Sequence, residues 1–168
     1  MVIERTDVSD AKELLALQKI TYKSEADIYN DETIEPLMQT FRSMQRDIRQ
    51  KAVFKAVDER MIVGSIRAYL IAGTCYIEKL FVYPDRQNQG IAKQLLRKIE
   101  IFFHPAPRYE LFTGNQSQKN ILLYEKHGFK IFKTEVIDST LSLVFMEKYP
   151  EIAESDGITN SIAIGEFV

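Results

Sequence analysis

Residues 77–96 read Ile77-Glu78-Lys79-Leu80-Phe81-Val82-Tyr83-Pro84-Asp85-Arg86-Gln87-Asn88-Gln89-Gly90-Ile91-Ala92-Lys93-Gln94-Leu95-Leu96. An apolar run with strand character ends at Pro84, a polar loop follows, and from Gly90 apolar residues recur with helical spacing at Ile91, Leu95, Ile99 and Phe102. A strand feeding a helix through such a loop leaves unpaired backbone N–H groups at the positive end of a helix dipole, which is an anion site in waiting. Gly90 has no Cβ and Ala92 a small one, so a phosphate can come close to the backbone, and Arg86 and Lys93 add positive charge at the rim. A plain strand-to-helix connection with surface charges has the same spacing. The stretch is neither a P-loop, lacking its Lys-Ser/Thr, nor a GxGxxG fingerprint.

Upstream, Ala52–Val57, Met61–Leu70 and Thr74–Val82 read as strands joined by turns at Asp58-Glu59-Arg60 and around Gly73, an antiparallel meander. Before them a helix is expected over about residues 8–24, capped by Asp7, with Val8, Ala11, Leu14, Leu15 and Tyr22 facing inward. A second is expected after Thr33 as cap, with Pro36 in its first turn and the stripe Leu37, Met38, Phe41, Met44 and Ile48. Downstream come a strand near Tyr109–Thr113, a helix from about Ser117 to His127 closed by Gly128, and strands near Phe129–Val136 and Leu141–Glu147. The expected order is ααβββαβαββ in one domain, residues 1–149. Residues 150–168 form a tail of different composition: a docked strand, an arm joining two copies as a homodimer, or a disordered extension.

The 168 residues, 45% hydrophobic and 27% charged, suit one compact domain. A net charge of -2 gives no basic field for nucleic acid or anionic membrane, which directs attention to small-molecule or protein partners. One cysteine, Cys75, and two histidines, His104 and His127, leave no disulfide framework and too few ligands for a Cys/His metal site. Neither a leader pattern nor an apolar run of spanning length is found, so the reading is cytoplasmic, with no membrane and no metal.

The signature Gln87-x-x-Gly90-x-Ala92, preceded by Leu80-x-Val82-x-Pro84 and followed by Leu95-Leu96, resembles the Q/R-x-x-G-x-G/A motif of the GNAT superfamily of acetyl-CoA-dependent N-acetyltransferases. Downstream, Asn120-Ile121-Leu122-Leu123-Tyr124-Glu125-Lys126-His127-Gly128-Phe129 resembles that family's Asn/Ser…Tyr-Glu-Lys-x-Gly-Phe block, and the order of elements agrees from about residue 2 to 148. The resemblance implies an α+β (mixed α/β) single domain: a central, mostly antiparallel sheet, splayed at the cofactor site and flanked by about four helices.

It also implies acetyl transfer from acetyl-CoA directly to an amine. The backbone of Leu80, Phe81 and Val82 would pair with pantetheine as an added strand. The backbone N–H groups of Gln87, Asn88, Gln89, Gly90, Ile91 and Ala92 would hold the pyrophosphate, and Arg86 and Lys93 the 3′-phosphate or outer oxygens. Either Ser117, seven residues before the tyrosine, or Asn120, four before it, would contact coenzyme A. Tyr124 corresponds to a tyrosine near the thioester sulfur, where a phenol can protonate the departing thiolate; read from spacing alone it is equally a core aromatic.

Attack needs a neutral amine, so a base or a water relay must take a proton. Glu78 is the first candidate, sharing a strand face with Leu80 and Val82, and Glu110 the second. Cys75 reads as a core residue. Between Ser24 and Phe41 there are five acids, Glu25, Asp27, Asp31, Glu32 and Glu35, and no Lys or Arg, which would attract a cationic amine or simply form a solvated loop. The competing functional readings are an acyl-CoA-binding sensor or interaction module of the same fold without turnover, and a nucleotide-phosphate binder.

Overall fold

In the computed structural model the chain is described from residue 1 to 150, so the expected tail lies outside the described residues apart from its first position. A seven-stranded sheet runs in the order β1-β2-β3-β4-β5-β7-β6, formed by β1 (Val2–Arg5), β2 (Ala52–Asp58), β3 (Met61–Ile71), β4 (Thr74–Val82), β5 (Arg108–Gly114), β6 (Lys130–Val136) and β7 (Ser142–Lys148). Every pairing is antiparallel except β4 with β5. The helices are α1 (Ala11–Tyr29), α2 (Glu35–Met38), α3 (Phe41–Gln50), α4 (Ile91–Phe102) and α5 (Gln118–Lys126). This is the expected mixed α/β domain with a mostly antiparallel sheet.

Alternating strand residues feed two cores. Phe54 and Ala56 of β2 meet Leu95, Leu96 and Ile99 of α4 on one face, while Val53 meets Leu14 and Leu17 of α1 and Met44 and Ile48 of α3 on the other. Burying side chains such as Leu95, Leu96 and Ile99 is worth about 1.5–3 kcal/mol each, which is what holds the start of α4 against the end of β4.

Several local expectations are corrected. The expected order begins with a helix, but a strand, β1, comes first, paired through Val2↔Val57 to Arg5↔Phe54; its mostly exposed residues carry no periodic signal. The first helix opens with a 3-10 turn, Val8–Asp10, closed by reciprocal bonds between Asp7 and Asp10, and continues five residues past the expected end, to Tyr29. The second helix is broken in two. Gln39 turns its side chain into a buried polar cluster, bonding Asp47 at 2.7 Å and Gln18 at 2.9 Å, and Thr40 restarts the chain by capping Ser43 N–H. The break leaves Met38 and Phe41 exposed instead of inward. Thr33 does not cap this helix; its N–H and hydroxyl both donate to Asp31.

Candidate active site

The β4–β5 pairing covers only Thr74↔Arg108, Cys75↔Tyr109 and Tyr76↔Glu110. From Ile77 onward the side of β4 that faces β5 has no strand partner, and the two strands part around a groove of about 1320 Å³. The cause lies in β4 itself. Between the pairs Arg67↔Glu78 and Ser65↔Phe81 the strand carries one residue more than β3, and Lys79 takes the left-handed conformation at φ 50°. Lys79 is held there by bonds from its ammonium to Glu35 (2.7 Å) and Gln39 (3.3 Å), and burial keeps it below the ordinary lysine pKa.

The bulge also changes which residues share a face. Leu80 and Val82 pack into the core under α4, whereas Phe81 joins the core under α1 and α3, and Glu78 reaches Lys51 on that same side. Glu78 therefore shares its face with Phe81, a correction of the strict alternation that grouped it with Leu80 and Val82.

After β4 the chain makes a 3-10 turn, Pro84–Arg86, and enters α4 through Gly90, which sits at φ 78° with no atom within 4 Å of where a Cβ would be. Only glycine takes this conformation without strain, and the open space above it leaves the first N–H groups of α4 facing the groove. Of the expected cofactor residues, Leu80, Phe81, Val82, Arg86, Gln87, Asn88, Gly90, Ile91, Ala92, Lys93, Ser117, Asn120 and Tyr124 all line the groove, and Gln89 does not. Arg86 is tied to Asp58 at 2.6 Å. Lys119, which spacing did not single out, places its ammonium 2.5 Å from Gln87 Oε1, and the Gln87 amide in turn donates to Val82 O at 3.2 Å. Sequence offers no sign of Lys119, because it reaches the loop from the far wall.

That far wall begins with β5 and α5. Ser117 precedes α5 and makes no capping bond; its hydroxyl donates to Glu25 of α1 at 2.5 Å, and Asn120 donates to the same carboxylate at 3.2 Å. Tyr29 Oη accepts from Gln116 N–H at 2.9 Å and lies where a Cβ at residue 114 would be, 2.0 Å away, so Gly114 admits the contact. Tyr124 is buried to 7% exposure between Phe129 and the groove, and burial, with Glu25 adding to it, raises its phenol above the ordinary tyrosine value.

On the opposite side Glu78 is paired with Lys51 at 2.9 and 3.1 Å, Lys51 also lies 3.4 Å from Asp47, and Asp47 is in close contact with Arg67. Arg67 is 1% exposed and further donates to Gln18 at 3.2 Å. Glu78 thus lines the groove as the outermost member of a buried charged chain. Glu110 does not line it; its carboxylate is engaged by Arg108 at 2.6 Å. Cys75 is fully buried, with its thiol pushed up to about 12 by burial, as fits a core residue.

The parting of β4 from β5 and the open helix start at Gly90 lie where the sequence resemblance to acetyltransferases puts the cofactor. Residues 18–150 match the model of the acetyltransferase (GNAT) domain, and the chain belongs to the GNAT acetyltransferase family. Among solved structures it is similar to the PaiA N-acetyltransferase of Thermoplasma acidophilum in complex with coenzyme A, with TM-score 0.78 and 22% identity over 89% of this chain and 100% of that one. It is also similar to the ribosomal-protein-S18-alanine N-acetyltransferase of Escherichia coli, with TM-score 0.72 and 14% identity over 93% and 97%. A curated relative, UPF0157 protein YqkA of Bacillus subtilis (strain 168), is 24% identical over 149 residues, and the match takes in 89% of this chain but 43% of that protein. Among the described residues no helix is long and apolar enough to cross a membrane.

Proposed function

We propose that the protein is an N-acetyltransferase that moves an acetyl group from acetyl-CoA to an amine by direct attack. The observation that carries this is the unpartnered stretch of β4 beyond the Lys79 bulge, which leads straight to the open N–H groups at Gly90 with Tyr124 across the groove. Acetyl-CoA, when bound, would supply an activated acetyl thioester whose pantetheine amides and phosphates match this edge and this helix start. The backbone of Leu80, Phe81 and Val82 offers the strand-type pairing. The N–H groups of Asn88, Gly90, Ile91 and Ala92 offer the phosphate cradle, whereas the Gln87 N–H already bonds Pro84 O and Gln89 stands outside the groove; Lys93 and Lys119 bring positive charge nearby, Lys119 held by Gln87, and Arg86 contributes less because Asp58 already engages it. Ser117 and Asn120 stand at the edge of the same cavity, ready to bond the cofactor arm.

In the transfer the amine nitrogen bonds to the acetyl carbon as the carbon–sulfur bond breaks. Tyr124 is assigned to protonate the departing sulfur; its raised pKa keeps the proton on the phenol at neutral pH. Glu78, directly or through water, is assigned to take the proton that the amine loses, and Lys51 holds its carboxylate in place. Glu110, outside the groove and engaged by Arg108, has no part in this scheme.

Parallel calorimetric titrations with acetyl-CoA, 3′-dephospho-CoA, ATP and NAD test the reading. Acetyl-CoA binding, weakened without the 3′-phosphate, is expected, and ATP or NAD binding in its place overturns it. Tyr124→Phe is expected to lower kcat by about 100-fold while leaving acetyl-CoA affinity unchanged. Acetyl-CoA binding with no thiol release for any amine would leave a sensor of the same fold.

A further inference from the structure

The groove is lined by five carboxylates, and four of them already have their charge or their hydrogen bonds met within their own wall. Glu35 faces Lys79 at 2.7 Å, Glu78 faces Lys51 at 2.9 Å, and Asp47 is shared by Lys51 and Arg67. Asp31 is exposed at the rim and folded back on Thr33 in a local turn. Glu25 differs from all of these. It is half-buried, its two partners Ser117 and Asn120 are neutral and come from across the groove, and among the described residues no Lys, Arg or His nitrogen lies within ion-pair distance of it. A carboxylate has about four lone-pair sites, of which these two donors use two. The remaining sites belong to a carboxylate beside Tyr124 that the described residues leave without a cation. Such a charge is costly to hold half-buried unless a cation meets it.

We propose that Glu25 receives the acceptor in the groove, and that the acceptor therefore arrives as a primary ammonium ion. The assignment rests on the transferase reading above. Glu25 binds and orients the ammonium group, which gives one proton to Glu78, directly or through water, before its nitrogen attacks; the second proton, lost as the amide forms, returns to the Tyr124 oxygen that protonated the sulfur. The bonds from Ser117 and Asn120 fix the Glu25 carboxylate, so the elements that flank the cofactor also set where the amine is held. Neutral amines gain nothing from this charge. The acidic run between Ser24 and Phe41 thus reduces to one working carboxylate, because Glu32 and Asp27 face Lys23, Glu35 faces Lys79 and exposed Asp31 is folded back on Thr33.

Thiol release from acetyl-CoA is measured at neutral pH with n-butylamine and phenethylamine, both ammonium ions there, and with aniline, which is neutral, alongside calorimetric acetyl-CoA affinity. Wild-type protein is expected to prefer the two ammonium acceptors. Glu25→Gln, which keeps an acceptor oxygen for Asn120 and turns an NH2 donor to the Ser117 hydroxyl, itself able to accept, is expected to raise their KM by about tenfold or more, to leave the aniline rate within about twofold, and to leave acetyl-CoA affinity unchanged. Glu25→Asp is expected to recover part of the loss. Equal KM values in wild type and Glu25→Gln, a preference for aniline, or no turnover of either ammonium acceptor by protein that binds acetyl-CoA overturns the role of Glu25. Absence of acetyl-CoA binding in the wild type instead overturns the transferase reading itself.

Discussion

The two walls of the groove are built on different principles. The loop wall, from Leu80 to Lys93, is a continuous stretch of chain that offers backbone groups, set by one bulge and one glycine. The rest of the lining is assembled from side chains far apart in sequence: Gln18, Asp47, Lys51 and Arg67 interlock behind Glu78, and Glu25 meets Ser117 over a separation of 92 residues. A backbone site tolerates side-chain change except where a side chain enters the space. A side-chain network fails when any buried member is lost.

The largest expected effect therefore lies in the network. Asp47→Ala leaves the Arg67 guanidinium buried without its counter-charge, and urea unfolding is expected to show a loss of about 3–5 kcal/mol with the denaturant slope unchanged. Replacing both partners, as Asp47→Leu with Arg67→Met, should recover most of that loss, since the apolar pair has no charge to desolvate. If Asp47→Ala alone is neutral, this wall is not held by its charges.

On the other wall the matching change is Gly90→Asp. It puts a carboxylate into the open space before α4 and is expected to weaken acetyl-CoA binding by about 100-fold, roughly 2.7 kcal/mol, in calorimetry. The fold should lose only about 1 kcal/mol, the cost of a left-handed Asp. Unchanged affinity would remove the phosphate role from this loop. Glycine at 114 works differently: Gly114→Ala drives a methyl group into the Tyr29 hydroxyl and breaks its bond from Gln116 N–H, with an expected cost of about 1–2 kcal/mol in thermal unfolding.

The same contrast explains what could be read from the sequence. The loop wall was legible because Gly90, Ala92 and the apolar helix spacing are local signals, and the sequence resemblance to the GNAT family that they carry agrees with the matched family model. Strand β4 was placed to the residue, Thr74–Val82. Its facing was misread at Glu78 because a bulge at a lysine has no composition signal; Lys79 holds a positive φ through contacts with Glu35 and Gln39, 44 and 40 residues away. The break of the second helix at Gln39 was hidden for the same reason, since it depends on a side chain seeking a buried cluster. Lys119 and Glu25 gained their positions only when α5 and α1 closed over the groove.

The smallest effect tests whether the two walls sense each other. Tyr22 packs edge-on to Phe81 on the α1 side, Tyr124 stands on the α5 side, and burial raises the pKa of both, with Tyr124 adding to the shift at Tyr22. A raised pKa means stability that is present below the ordinary tyrosine value of about 10 and lost as pH climbs through the folded value. Urea midpoints are therefore expected to be insensitive to these phenols from pH 7 to about 9.5, and to fall above pH 10. Tyr22→Phe and Tyr124→Phe should each shallow that alkaline fall, while Tyr109, pushed up to about 12 by burial and bonded to the backbone of Glu100 under α4, remains as a common background. Because both phenols keep their protons in the folded state well above pH 10, the fall there reflects ionisation in the unfolded chain, and the double variant should recover the sum of the two single changes. Recovery short of that sum would mean that a phenol ionises in the folded state within the range tested, and that the other wall feels its charge.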